Sequence, residues 1–164
     1  MRSSKPQSNE SPAGGYRPSR LPDPAFLKER DSHFRLSLIA RLTSAQETLL
    51  RARNQLGQRQ GAGWIPQYLL DRIERTLRSL RFSRYGVRNL FTQATILFPQ
   101  LARLDDLDWA VSQICSAIEN GVRRVWLTLD DPHQLSLGVQ QLDQALARFD
   151  AHCDQRQAFI AGTS

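Results

Sequence analysis

An all-α fold, an antiparallel bundle of about four helices with long outer helices, is predicted by three observations. Apolar residues recur at spacings of three and four from Leu38 to Cys153, the period of one helix face. Glycine and proline gather at a few places that divide the chain into helix-sized pieces. Only one stretch, "VRRVWLTL" at 122–129, is β-prone, and a lone strand has nothing to pair with.

Residues 1–22 hold four of the eight prolines and almost no large apolar side chain. Such a segment cannot offset its ordering entropy, so it reads as a disordered tail before a single bundle domain at 23–160. The first helix opens at "DPAF", with Asp23 placed to cap and Pro24 in the first helical position. Leu38, Leu42, Ala45, Leu49, Ala52 and Leu56 step by 4, 3, 4, 3, 4, a narrow seam of the bundle type. The seam keeps its phase through "TSAQE" at 43–47, which taken alone resembles a capping box. Gly57 is the expected stop.

"GQRQGAGWIP" at 57–66 reads as a loop, with Trp64 and Ile65 folding back as an apolar anchor. A second helical region is expected from Pro66 until Pro99 ends it, with Leu69, Ile73, Leu77, Leu80, Val87, Phe91, Ala94 and Phe98 on one face. Ser83 and Gly86 mark a candidate break. In the third region Asp105 or Asp106 is placed to cap, and Leu107, Val111, Ile114, Ile118, Val122, Val125 and Leu129 keep helical spacing. They do so across Asn120-Gly121, a competing stop signal. The fourth region starts with Asp131 as cap, Pro132 first and Gln134 in the third position. Its seam, Leu135, Val139, Leu142, Leu146, Phe149 and Cys153, again steps 4, 3, 4, 3, 4. Narrow seams also suit self-association, so a homo-oligomer or a protein partner is expected.

Charge is distributed unevenly. Residues 35–88 carry eleven basic and three acidic side chains, net +8, whereas residues 89–164 carry five basic and nine acidic, net −4. This polarity fits either a surface for polyanions or basic helices packed beside acidic ones. Twenty of the 22 basic residues are arginine, the better partner for phosphates and aromatic rings, although a GC-rich coding bias has the same effect.

The basic density peaks in "RIERTLRSLRFSRYGVRNL". On a helical wheel with Arg72 at zero, the apolar side chains span roughly 60° to 140°, while Arg75, Arg78, Phe82 and Tyr85 share the opposite face. Arg72, Arg75, Arg78, Arg81, Phe82, Tyr85 and Arg88 are therefore the candidate nucleic-acid-binding residues, cations for phosphates and rings for bases. Arg84 conflicts with this wheel, because a continuous helix sets it in the middle of the apolar face. Either an acid from the later half pairs with it, or the helix breaks near Ser83 and turns Phe82 and Tyr85 into core residues.

No catalytic constellation emerges, and no metal site or cofactor is expected. "GQRQGAG" lacks the Lys-Ser/Thr of a phosphate-binding loop. His152, Cys153 and Asp154 are helix neighbours that diverge by about 100° each. Asp105, Asp106 and Asp108 lack the spacing and glycine of a calcium loop. Two cysteines on apolar stripes suggest buried free thiols rather than a disulfide. No run approaches the ~18 apolar residues of a membrane span and no apolar leader is present, so a cytoplasmic protein without a membrane role is expected. The function expected is a non-enzymatic accessory or scaffold factor binding nucleic-acid backbone. The alternative is a helical protein-interaction module with no nucleic-acid role.

Overall fold

A computed structural model describes residues 24–60, 67–88 and 100–162. They form four helices: α1, Pro24–Gln60; α2, Gln67–Arg88; α3, Leu101–Leu127; and α4, Pro132–Gly162. The 1–22 tail, Asp23, Trp64, Ile65, Phe91, Ala94, Phe98 and Pro99 lie outside the described residues.

All six α1 seam residues and all six α4 seam residues are buried, as are Leu107, Val111, Ile114, Ile118, Val122, Val125 and Leu129. Apart from Leu107, these residues join Leu69, Ile73, Leu77, Leu80 and Val87 of α2 in one core. Each fully buried leucine contributes about 1.5–3 kcal/mol of transfer free energy.

Polar contacts fix the helix order. Arg53 of α1 pairs with Glu74 of α2 and Thr43 with Arg84, so these two helices run antiparallel. Arg124 bonds Gln141 and Asp108 bonds Arg156, so α3 and α4 are antiparallel as well. Arg30 meets Asp105, Arg41 meets Glu119 and Arg59 meets Asp130, so α1 and α3 lie side by side and parallel. Thr76 meets Asp143 and Ser83 meets Asp150, which makes α2 and α4 a second parallel pair. Successive helices thus alternate in direction, but α2 and α3, consecutive in sequence, stand on a diagonal of the bundle. Parallel neighbours bring like ends of two helix dipoles together; the ion pairs between basic α1 and acidic α3 offset this.

Two boundaries differ from the sequence expectation. α1 passes Gly57 and continues to Gln60. α3 starts at Leu101, ahead of the acids expected to cap it, and Asp105 instead binds Arg30. As its apolar spacing predicts, α3 runs through Gly121, and it ends at Leu127. Gly121 serves packing: a Cβ on it would lie 3.3 Å from Leu142 Cδ1, so its absence lets α3 and α4 approach closely. The α4 cap is as expected, with Asp131 Oδ1 accepting from the backbone N–H groups of His133 and Gln134 at 3.1 and 3.2 Å.

The α2–α4 seam carries a pH-dependent contact. Asp150 accepts 2.7 Å from Ser83 Oγ. Burial raises its pKa above the ordinary value, the Ser83 hydrogen bond opposes this, and Asp154 adds to the rise. Between the unfolded and folded values the native state binds more protons than the unfolded chain, so this contribution to stability falls as pH rises through that window. Asp150→Asn keeps the acceptor for Ser83 and removes the charge. It should raise the unfolding free energy at pH 7 by less than about 1 kcal/mol, since the carboxylate is only part-buried. In thermal unfolding followed across pH, the gain should shrink as pH drops through the carboxylate range.

Candidate nucleic-acid interface

α2 is unbroken through Ser83 and Gly86. Ser83 Oγ lies 3.1 Å from Ser79 O within the helix and 2.7 Å from Asp150 Oδ1 across the seam, two acceptors that share its single O–H. Ser83 and Thr76 are buried polar positions satisfied by α4 carboxylates. Continuity leaves Arg84 on the core side, as the wheel requires. It is half-buried at the α1 edge, donates from Nη1 to Thr43 Oγ1 at 3.4 Å, and lies 5.3 Å from the Tyr85 ring centroid. No acid from the later half meets it among the described residues; a hydroxyl and a ring take that place.

With the helix continuous, Arg75, Arg78, Arg81, Phe82 and Tyr85 are all exposed on the side of α2 away from the core. Phe82 is 74% exposed and Tyr85 46%. Tyr68, one further turn back on the same face and 58% exposed, extends the aromatic set. It escaped the sequence reading because the wheel was begun at Arg72. Arg72 itself belongs elsewhere: it is half-buried and turned to α4, with Nε 3.6 Å from Asp143. The backbone of Arg88 closes α2, and its side chain lies outside the description.

Most carboxylates of the second half are engaged away from this face. Asp105, Asp108, Glu119 and Asp130 pair with arginines of α1, and Asp143 with Arg72. Arg30 is held above its ordinary pKa although burial lowers it, because its hydrogen bonds to Asp108 and Asp105 outweigh that loss. Arg41 is raised chiefly by its hydrogen bond to Glu119. Arg75, Arg78 and Arg81 have no ion pair among the described residues. Arg75 and Arg78 also line an open groove of about 980 Å³ between α1 and α2. The acids on its wall are occupied: Glu74 by Arg53, and Asp71 by the Gln67 amide at 3.0 Å.

A second charged cluster has no counterpart in the sequence reading. Arg156 of α4 is fully buried. Its Nε donates to Asp108 Oδ1 at 2.5 Å, and its Nη1 lies 2.8 Å from Asp31 Oδ1, an ion pair off the hydrogen-bond line. Its guanidinium sits 4.6 Å from the Phe34 ring centroid. Asp31 also accepts from Arg35, and Asp108 from Arg30. This layer ties α1, α3 and α4 together and has apolar packing near it, including the small cluster of Leu27, Leu104 and Ile160. None of the four main grooves reaches Arg156.

Among the described residues no group of His, Cys, Asp or Glu is arranged to hold a metal ion, and no helix is long and apolar enough to cross a membrane. Burial pushes the Cys115 thiol up to about 11 and the Cys153 thiol to about 12. The thiolate is the reactive form, so both cysteines should react with a disulfide reagent many times more slowly in the native protein than in urea. A fast native phase in thiol titration would contradict their burial. Comparison with protein-family models, curated proteins and solved structures finds no match to this chain.

Proposed function

We propose that this protein is a non-enzymatic accessory or scaffold factor that binds nucleic-acid backbone through the outer face of α2. One observation carries the reading: Arg75, Arg78 and Arg81 stand exposed on one helix without carboxylate partners among the described residues, while most arginines of α1 are ion-paired. Charge polarity alone is ambiguous, because basic α1 and acidic α3 answer each other. α2 is where the positive charge is left over. Arginine there offers paired N–H groups to phosphate oxygens, and the exposed backbone of a nucleic acid supplies those oxygens at regular intervals.

The test is equilibrium binding of labelled oligonucleotides across salt. Phosphate contacts release counterions, so log K should fall linearly with log salt, by about 0.7 per contact on a single strand and about 0.9 on a duplex. Three contacts correspond to a slope of about −2 to −3. Absence of binding at low salt, or a flat dependence, overturns the proposal.

A further inference from the structure

We infer that the α2 face takes single-stranded nucleic acid in preference to duplex, with bases against Phe82 and Tyr68 and phosphates against Arg75, Arg78 and Arg81. The inference rests on the backbone-binding proposal and specifies its substrate.

Rings and cations alternate around the exposed face of α2. At about 100° per residue, Arg75 lies between Phe82 and Tyr68 on the half toward α4, and Tyr85 lies between Arg78 and Arg81 on the half toward α1. The edges differ in charge. On the α4 side Phe82 shares a groove of about 390 Å³ with Asp150 and Asp154, and Asp154 is exposed. On the α1 side the groove holds Arg53, Arg75 and Arg78 beside Asp71 and Glu74, and since Arg53 and Glu74 pair with each other, Arg75 and Arg78 stand against one carboxylate. One phosphate backbone therefore fits along the α1 edge, and a second along the α4 edge would meet two carboxylates.

That asymmetry disfavours duplex. A helix seated in the major groove, about 12 Å wide, has a phosphate strand on each flank. Here one flank carries a small net positive charge and the other two carboxylates. Base faces are also hidden inside a duplex stack, which would leave Phe82 and Tyr68 without partners, whereas a single strand offers them. Tyr68 to Phe82 spans about 21 Å of helix axis, about six nucleotides at the stacked spacing of ~3.4 Å and fewer if the strand extends.

Fluorescence anisotropy with labelled dT and U twelve-mers, and with a twelve-base-pair duplex, tests this at one fixed salt and across salt. Both single strands should bind at least about tenfold tighter than the duplex, and the comparison of dT with U reports any contribution of the 2′-hydroxyl. Phe82→Ala and Tyr68→Ala, at exposed sites where folding is not at stake, should each weaken single-strand binding by about tenfold or more. Their salt slopes should stay that of the wild type, because no cation is lost. Equal or tighter binding of duplex overturns the inference, as does an unchanged single-strand to duplex ratio in both variants. In either case a steep salt slope keeps the backbone-binding proposal standing. No binding by any oligonucleotide overturns both.

Discussion

Arg156→Met is expected to destabilise the protein by about 3–5 kcal/mol, the largest single-residue effect anticipated here. The side chain is fully buried and holds two carboxylates from two other helices. Its removal leaves Asp31 Oδ1 and Asp108 Oδ1 without their cation on largely buried side chains. The remaining partners, Arg35 and Arg30, approach the other oxygen of each carboxylate, so they do not replace it. Urea unfolding should show the loss in the midpoint with little change in slope. Adding Asp31→Leu should recover much of it, because replacing a whole buried pair by apolar groups is often neutral or stabilising. A single variant within about 1 kcal/mol of the wild type would mean that the layer contributes little.

The triple change of Arg75, Arg78 and Arg81 to Ala has the opposite profile. Its stability should stay within about 1.5 kcal/mol of the wild type, about 0.5 per exposed site, since none of the three holds an ion pair among the described residues. Nucleic-acid affinity should fall at low salt, and the magnitude of the salt slope on a single strand should drop by about 2. Arg41→Ala and Arg59→Ala serve as the contrast. Both side chains are paired with carboxylates of the second half, so changing them should leave the slope close to that of the wild type. A triple variant with an unaltered slope would place the contacts on some other surface.

The core was legible because spacing reports burial directly: each seam residue of α1 and α4 named from the 4, 3 pattern is buried. Helix ends were less so. Gly57 reads as a stop, yet a helix accepts glycine where packing or length outweighs its propensity cost of about 1 kcal/mol. The charged layer had a signal that stopping at hydrophobic residues concealed. Extending the α4 seam by 3 and then 4 beyond Cys153 reaches Arg156 and Ile160, and extending the α1 seam backward from Leu38 through Phe34 reaches Asp31 and Leu27. Opposite charges on two seams are the mark of a buried pair. The α1–α3 contacts had one too, since Asp108, Glu119 and Asp130 recur every eleven residues, close to three helical turns. At Arg84, by contrast, the sequence correctly located a conflict but not its resolution, because Thr43 lies 41 positions away and no local pattern links the two.

Carboxylates of the second half pair with Arg30, Arg41 and Arg59 of α1, whereas Arg75, Arg78 and Arg81 of α2 hold no ion pair among the described residues and are proposed to stay open to an anion. Modification of the folded protein with phenylglyoxal, mapped by peptide mass spectrometry with and without a single-stranded oligonucleotide, tests this contrast most directly. The expected result is rapid labelling of Arg75, Arg78 and Arg81, strong protection of those three by the oligonucleotide, and little labelling of the buried Arg156 in either case. Slow labelling of the three in the free protein, or oligonucleotide protection falling on other arginines while these stay reactive, would contradict it.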